Sequence, residues 1–371
     1  MGMDFEEFKQ EVQDRIKDFL PPAYADAKVS IIKSEKLNES YTALNVGLKG
    51  ETVLPAVNLN KLFHHYENGA VLDELLSSTA EAVMQKPPAV DVKRLQNYEE
   101  VKDRLFIRVS SAERNEDMLK RLPHTMKEDL AVTYHVIVQE LEKGIASTPV
   151  TYEMLNNYGV SPDQLHADAM ASGEKLYPLK ADSMSHVMEE MLRQEMSDHG
   201  MDEAEISSMI DLFLLPESSI PMIIVSNDQR LNGAAVMFYP EAMEKLSEQL
   251  GGSFHILPSS VHEMIIIPES EELNAQELQA LVSEVNATQV APQDRLTDEV
   301  YHYDFEDRIF EKASSYEERM AAKQAGRENS EKESRLKSSI LKQLDEKKEK
   351  AREMASAVVK PEKHRIAEAA I

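Results

Sequence analysis

The densest group of reactive side chains in the sequence lies between two short apolar runs, in the stretch from Ser253 to Pro268. Ser259, Ser260, His262 and Glu263 occupy its polar centre. Serine, histidine and a carboxylate are the components of an activated nucleophile, in which a base takes the hydroxyl proton and an acid orients the base. Ser260, His262 and Glu263 are therefore candidate catalytic residues, and Ser259 is a candidate ligand or partner contact.

The same residues also fit a structural role. In an extended chain, alternate side chains point to opposite faces, so Ser260 and His262 would share one face. Glu263 would lie on the other face with Ser259, away from the histidine. The G-x-S-x-G pattern of a nucleophile elbow does not occur in the sequence. A β-hairpin whose hydroxyls and imidazole satisfy backbone groups of the turn is the favoured interpretation.

A second polar group follows an apolar run that ends at Ser226. Asn227 and Asp228 come directly after it, at the end of a predicted strand. Such positions often contact ligands or partners, but Asn-Asp is also ordinary turn chemistry. Both residues are candidate ligand or partner contacts.

Metal and cofactor sites have little support in the sequence. Imidazole and carboxylate ligands are offered by His64 and His65, and separately by His302 with Asp298, Asp304 and Asp307. Neither group has the spacing of a known zinc or calcium motif, and no glycine-rich phosphate loop is present. We therefore predict no metal and no cofactor. The acidic segment around His302 is expected to be solvated, with its apolar members packed on the folded body: Val300, Tyr301, Tyr303, Phe305 and Ile309.

Composition excludes several classes of function. The 371 residues include 67 acidic and 41 basic side chains, a formal net charge of −26. Such a chain repels nucleic acid and anionic membranes, so neither is a predicted partner. Cysteine is absent, which removes disulfides and thiolate chemistry. No apolar run approaches the ~18 residues of a membrane span, and the acidic N-terminus does not resemble a signal peptide. We predict a cytoplasmic protein.

Periodicity predicts the elements that position these residues. An apolar stripe predicts a helix over 4–19, followed by an antiparallel meander over 28–33, 41–49 and 52–59. A strong strand over 130–139 is expected to pair with 145–150. A helix is predicted over 182–199.

The second half carries strands at 221–226 and 234–239, a helix at 241–250, the hairpin, and a helix at 275–286. This β-β-α-β-β-α order predicts an α+β fold with antiparallel or mixed sheets flanked by helices.

Three units are predicted. An N-terminal α+β unit covers 1–123, a C-terminal α+β unit with the β-β-α-β-β-α block covers 124–313, and a charged helical tail covers 314–371. Leu336, Ile340 and Leu344 share one face of the tail helix, but apolar positions are too few for a core. The tail is expected to be an extended charged helix that docks a protein partner. The oligomeric state stays open.

Several patterns resemble an uncharacterised domain-of-unknown-function family of anaerobic gut Firmicutes, often encoded on mobile elements. They are L-A-V-T-Y-H-V-I-V at 130–138, V-T-Y-E-M-L-N-N-Y-G-V-S-P-D-Q-L at 150–165, H-I-L-P-S-S-V-H-E at 255–263 and V-Y-H-Y-D at 300–304. The resemblance covers most of the chain up to about residue 313. The middle block is also distantly similar to the uncharacterised YtpQ-like proteins. Neither resemblance implies catalytic residues.

Two functional hypotheses follow. The leading one is a non-enzymatic accessory or interaction protein of a bacterial mobile element, because catalytic spacing is missing, the chain is acidic and a charged helix extends from the fold. The alternative is an uncharacterised hydrolase that uses Ser260 and His262, with Glu263 or another acidic residue. A pocket that holds the serine, the histidine and a carboxylate within hydrogen-bond reach would favour the enzyme.

Overall fold

The structure is a computed structural model that describes residues 2–51, 54–85, 92–141, 144–213, 221–270 and 273–358. The chain divides into two compact units, Met1–Ala313 and Ser314–Ile371. Within the described ranges, no helix is long and apolar enough to cross a membrane.

The helices and strands alternate irregularly along the chain. The α-helices are α1 (Phe5–Arg15), α2 (Leu59–Glu67), α3 (Leu72–Met84), α4 (Val92–Leu95), α5 (Tyr98–Val101), α6 (Glu116–Leu119), α7 (Tyr152–Tyr158), α8 (Pro162–Leu176), α9 (Met184–Asp198), α10 (Glu203–Phe213), α11 (Ala242–Leu250), α12 (Ala275–Thr288) and α13 (Ala313–Val358). Short 3₁₀ helices cover Ile16–Phe19, Pro22–Tyr24, Lys102–Arg104, Glu113–Asn115 and Gly233–Phe238.

The strands form three sheets, and every neighbouring pair in them is antiparallel. The strands are β1 (Lys28–Lys36), β2 (Glu39–Gly47), β3 (Ala56–Asn58), β4 (Leu105–Ser111), β5 (His124–Lys127), β6 (Leu130–Leu141), β7 (Gly144–Pro149), β8 (Leu179–Ser183), β9 (Ile223–Asn227), β10 (Phe254–Ser260), β11 (Glu263–Pro268), β12 (Tyr301–Asp304) and β13 (Ile309–Lys312). Helices on antiparallel sheets confirm the predicted α+β class.

The first sheet has the order β1-β2-β3 and confirms the predicted meander. Its core is formed with the apolar stripe of α1, in which Phe8 and Val12 are fully buried, and with Leu76 and Ala80 of α3. The steps of three and four along α1 place these residues on one face, which is why this helix could be predicted.

The second sheet has the order β4-β6-β5, and β7 pairs with the second half of β6 on the edge opposite β4, next to β5 along the strand. One face packs into the largest cluster of buried apolar residues in the described part of the chain, the main core, through the alternate residues Leu105, Ile107 and Val109 of β4. The predicted pairing of the strong strand with residues 145–150 is confirmed. The predicted unit boundary at residue 123 falls between β4 and β6, two strands of this one sheet, and the division of residues 1–313 stays a prediction.

The third sheet has six strands in the order β13-β12-β10-β11-β9-β8, so the hairpin β10–β11 lies at its centre. Phe254, Ile256 and Ile266 of this hairpin are buried in the main core. Buried apolar side chains on both strands therefore anchor the hairpin, and this anchoring fixes the position of the polar turn that joins the two strands.

One predicted element is wrong, and one predicted helix is confirmed with a later start. A strand is predicted over residues 234–239, but Gly233–Phe238 is a 3₁₀ helix whose residues are all buried. A continuous apolar run does not distinguish a buried strand from a buried helical turn. The helix predicted over 182–199 is present as Met184–Asp198; it begins two residues later because Ser183 caps it and residues 179–183 form the edge strand β8.

Local capping signals are confirmed. Thr151 Oγ accepts from the Met154 N–H at 3.1 Å, and Gly159 ends α7 in the left-handed conformation at φ 69°. Ser161 Oγ caps α8 in the same way, with Pro162 at the first helical position.

The second unit contains a long helix, α13, and confirms the predicted extended C-terminal helix. Its side chains are solvated along most of the described length, which ends at Val358. Residues 359–371 of the predicted tail lie outside the described residues.

Candidate functional site

The turn of the β10–β11 hairpin uses its serine hydroxyls for structure. Ser260 Oγ accepts from the His262 backbone N–H at 3.1 Å, and Ser260 pairs with Glu263 across the turn. The strand register shifts at Ser259, whose hydroxyl donates to the Glu263 carboxylate at 3.3 Å. Ser259 and Glu263 therefore do lie together, as their alternation predicted. The hydroxyl of Ser260 is engaged by the chain's own backbone.

The imidazole of His262 is held by two residues far away in the sequence. Its Nδ1 accepts from the Asn232 backbone N–H at 3.2 Å, so the ring proton is on Nε2 in the neutral form. Nε2 lies 3.5 Å from Asp294 Oδ1. Asp294 is thus the carboxylate that faces this histidine, and Glu263 bonds Ser259 instead.

This arrangement lacks one contact that nucleophilic catalysis needs. A catalytic histidine uses one nitrogen for the orienting carboxylate and the other for the nucleophile. In His262 the second nitrogen is occupied by a backbone amide, and no hydroxyl among the described residues contacts the ring. A carboxylate–histidine pair is present, and a hydroxyl activated by it is not seen in the described part of the chain.

The loop after β9 is bonded to the same hairpin. Ser226 Oγ donates to the His262 carbonyl at 2.7 Å. Asn227 is buried, and its side chain donates to the Leu231 carbonyl and accepts from the Leu231 N–H at 3.0 and 3.3 Å. Asp228 is exposed in the same loop. Asn227 therefore shapes the loop that delivers Asn232 to the histidine, and a ligand or partner contact by Asn227 and Asp228 stays a prediction.

A cavity of about 500 Å³ connects this site with the second sheet. Its lining includes Asn232, His262 and Asp294 from the hairpin region, and Arg108, His135 and Ser147 from the second sheet. The tip of the β1–β2 hairpin closes part of the wall. His262 lines this cavity, whereas Ser259, Ser260 and Glu263 are not among its described lining residues. Of the ionisable groups at the hairpin turn, the His262 imidazole and the Asp294 carboxylate that faces it are the ones that border the cavity.

Sequence reasoning missed Asp294 and Asn232 as partners of His262. Both are about 30 residues from the histidine and stand in unremarkable polar loops. Only the tertiary fold brings them to the ring, with the Val261 N–H donating to the Asp294 carbonyl at 2.8 Å. No local spacing could have indicated this cluster.

A second group of ionisable side chains is buried inside the third sheet. His255 and His302 are cross-strand partners whose ring centroids are 5.1 Å apart. His302 is fully buried, and its Nε2 lies 3.5 Å from Glu269. Burial lowers the pKa of His302 to about 4, against the opposing carboxylate of Glu269. This histidine is therefore neutral at pH 7.

The expectation of a solvated acidic segment is wrong for residues 301–304, which form the buried strand β12. Alternation of aromatic with polar residues in Y-H-Y-D is typical of a strand with one solvated face, but all four residues of β12 are buried, so the sequence pattern does not indicate the covering of its polar face. Val300, Tyr301 and Tyr303 pack inward as expected, but Phe305 and Ile309 are exposed.

Metal ligands are not assembled in the described residues. No group of three or more histidine, aspartate or glutamate side chains that could hold a metal ion occurs among them. His64 and His65 are neighbours on α2 with ring centroids 6.5 Å apart.

Three antiparallel sheets with flanking helices and a polar hairpin at the centre of the largest sheet define an α+β protein, and its described residues form no recognised catalytic constellation. The chain belongs to the family of unknown function DUF5688, whose family model matches residues 5–305. No curated protein and no solved structure matches the chain. The family confirms the resemblance to a domain of unknown function; the gut Firmicutes, mobile elements and YtpQ-like proteins stay predictions.

Proposed function

We propose that this chain is a non-enzymatic interaction protein that docks a helix of another protein on α13. The observation that supports it is an apolar row on this helix, which we call the α13 row: Leu336, Ile340 and Leu344. Their exposed fractions are 63, 53 and 47%, respectively. Steps of four place them on one face, where a partner helix can cover them.

The charges around the α13 row indicate the chemistry of that partner. Residues 335–350 carry six lysines and arginines and three acidic residues, in a chain whose net charge is −26. Arg335 and Lys337 lie within ion-pair distance of Glu331 and Glu333, but Lys342 forms no ion pair among the described residues. We infer that the partner helix presents an apolar face with acidic flanks, because opposite charges favour that pairing over another basic one.

Substitution of the α13 row with glutamine is expected to abolish partner capture. L336Q/I340Q/L344Q removes three apolar anchors, each worth about 1–2 kcal/mol when buried, and leaves the charge unchanged. Pull-down from the native host with the full-length protein, quantified by mass spectrometry, should show at least a tenfold loss of the specific partner. Direct binding of that purified partner would then be measured for both proteins.

The matched control changes the opposite face of the same helix. S338Q/K342Q/E349Q also introduces three glutamines, and its two charge changes cancel. We expect this variant to keep the partner. Capture that survives in L336Q/I340Q/L344Q contradicts the proposal. So does a full-length protein that sediments as a dimer while that variant is monomeric, because the row would then bind a second copy.

The cellular setting is part of the same proposal. Resemblance to a family often encoded on mobile elements supports an accessory role for such an element, and the absence of cysteine is consistent with the cytoplasm. A captured partner encoded on the same element would support this setting.

The hydrolase alternative has a direct chemical test. A fluorophosphonate probe labels a serine whose hydroxyl is activated by a base. We expect no labelling of Ser260, because its Oγ accepts from the His262 amide and the imidazole bonds other groups. Intact mass before and after treatment measures it, with Ser260→Ala as the control. Labelling that disappears in both Ser260→Ala and His262→Ala would favour the hydrolase.

A further inference from the structure

One face of the second sheet carries polar side chains where it borders the cavity described above. Arg108 and Ser110 alternate with core residues on β4, and Thr133 and His135 do so on β6. The register pairs Arg108 with Thr133, so these side chains are neighbours on one face. The opposite face of the same strands packs into the main core. The sheet thus presents a guanidinium, two hydroxyls and an imidazole to the cavity side.

Arg108 has no charged partner among the described residues. Its Nη2 donates to Ser147 Oγ at 3.0 Å, and its guanidinium lies 5.5 Å from the centroid of the Phe106 ring. Its Nε is buried without a hydrogen-bond partner in the described part of the chain. Burial lowers the pKa of this arginine. A partly buried cation that lacks an anion is costly, and is unusual in a chain with 67 acidic residues.

The histidine next to Arg108 on this face of the sheet, His135, is uncharged, so the arginine is the main source of positive charge on this face. His135 is buried, and its Nε2 lies 3.0 Å from Thr133 Oγ1. Burial, together with the charge of Arg108, lowers the pKa of His135 well below its usual value, so its ring is neutral at pH 7. The ring can donate or accept a hydrogen bond without adding charge.

The opposite wall of the cavity is fixed by Asn38 at the tip of the β1–β2 hairpin. Its N–H donates to Asn115 Oδ1 at 2.6 Å, and its side-chain amide donates to the Gln293 and Arg295 carbonyls at 3.1 and 2.9 Å. Asn38 adopts φ 63°, a left-handed conformation that asparagine tolerates better than most residues. The tip is therefore bonded to two other segments, and the cavity is formed before any ligand arrives.

We propose that this cavity binds a small molecule with one carboxylate, which pairs with the Arg108 guanidinium, and with an amino group at its other end. The planar fork of arginine matches a carboxylate in a bidentate manner. Three carboxylates and one lysine also line the cavity: Glu35, Glu39, Asp294 and Lys36. Glu35 is paired with Lys33 and Arg121, so the uncompensated negative charge comes mainly from Glu39 and Asp294. Their charges attract an ammonium group and repel a doubly charged phosphate, which favours an amino-carboxylate over a phosphorylated ligand. This site is independent of the α13 row.

Calorimetric titration of the full-length protein tests the site with four probes at constant ionic strength: glycine, 4-aminobutyrate, acetate and inorganic phosphate. We expect saturable binding of an amino-carboxylate with a Kd of about 1 mM or tighter, and weaker binding of acetate. Arg108→Gln should weaken it at least tenfold. The control is Arg104→Gln, since Arg104 donates to the Val138 carbonyl at 3.1 Å and is not among the cavity's described lining residues.

Failure of the binding site and failure of the proposed ligand class give different results. Absence of saturable binding for every probe, or binding that Arg108→Gln leaves intact, overturns the site. Phosphate that binds more tightly than both amino-carboxylates overturns the ligand class. If Arg108→Gln fails to fold, amide chemical shifts of the unaltered protein decide: ligand-dependent shifts at Arg108, His135 and Ser147 support the site, and their absence refutes it.

Discussion

Gly233→Ala is expected to lower the free energy of unfolding by about 3 kcal/mol, the upper part of the usual range for overpacking a tight site. Gly233 begins the 3₁₀ helix that follows β9, and it is buried. A Cβ at this position would lie 2.1 Å from Ser226 Oγ, 2.6 Å from the His262 carbonyl oxygen and 2.8 Å from the Asn227 nitrogen. Two of these three atoms belong to the backbone and cannot move aside as a side chain can.

The large effect follows from what converges at this glycine. The end of β9, the 3₁₀ helix and the turn of the hairpin all approach within the space of one methyl group. The added carbon would also displace the Ser226 hydroxyl from its 2.7 Å bond to His262. The substitution should therefore disturb the hairpin turn as well as overall stability.

Chemical denaturation monitored by circular dichroism measures the change, with Gly252→Ala as the matched control. A methyl carbon added at Gly252 would meet no heavy atom of the described residues within 4 Å, and this glycine has no left-handed φ. We expect the free energy of unfolding of Gly252→Ala to differ by no more than about 0.5 kcal/mol from that of the unaltered protein. A Gly233→Ala protein as stable as this control would show that the three segments do not approach each other so closely.

The elements that the sequence predicts are those with local physical causes. The stripe of α1, the cap at Thr151 and the glycine that ends α7 are each determined within a few residues. The hairpin was predictable for the same reason, since β-formers flank a short polar turn. Local signals of this kind do not depend on the rest of the fold.

The parts that the sequence does not predict depend on distant contacts. Residues 234–239 are apolar throughout, so their pattern does not distinguish a buried strand from the 3₁₀ helix that begins at the tightly packed Gly233. The face alternation of Ser259 and Glu263 was predictable, but the orientation of His262 by Asp294 was not. Arg108 gave no signal either, because an arginine within a strand looks like an ordinary solvent-facing residue until β7 and the β1–β2 tip cover it.

Acid is expected to destabilise the protein between about pH 6.5 and pH 4 through His302. Burial is the largest cause of its lowered pKa of about 4; His255 lowers it further, while Glu269 and Asp304 oppose the shift. In the unfolded chain the pKa is about 6.5. Between these values the unfolded state binds a proton that the native state does not, so stability falls as the pH decreases.

The expected loss from this histidine is about 2 kcal/mol between pH 6.5 and pH 5, at about 1.4 kcal/mol for each pH unit. His302→Gln keeps a polar side chain and cannot titrate, so its unfolding free energy should decline less steeply over this interval. The buried His135 adds a loss of the same sign in both proteins.

Urea denaturation at half-unit pH steps gives the slopes. His65→Gln, which removes an exposed histidine, should keep the steeper slope. Parallel curves for His302→Gln and the unaltered protein would mean that His302 is already solvated or charged in the native state, which contradicts its burial between β10 and β13.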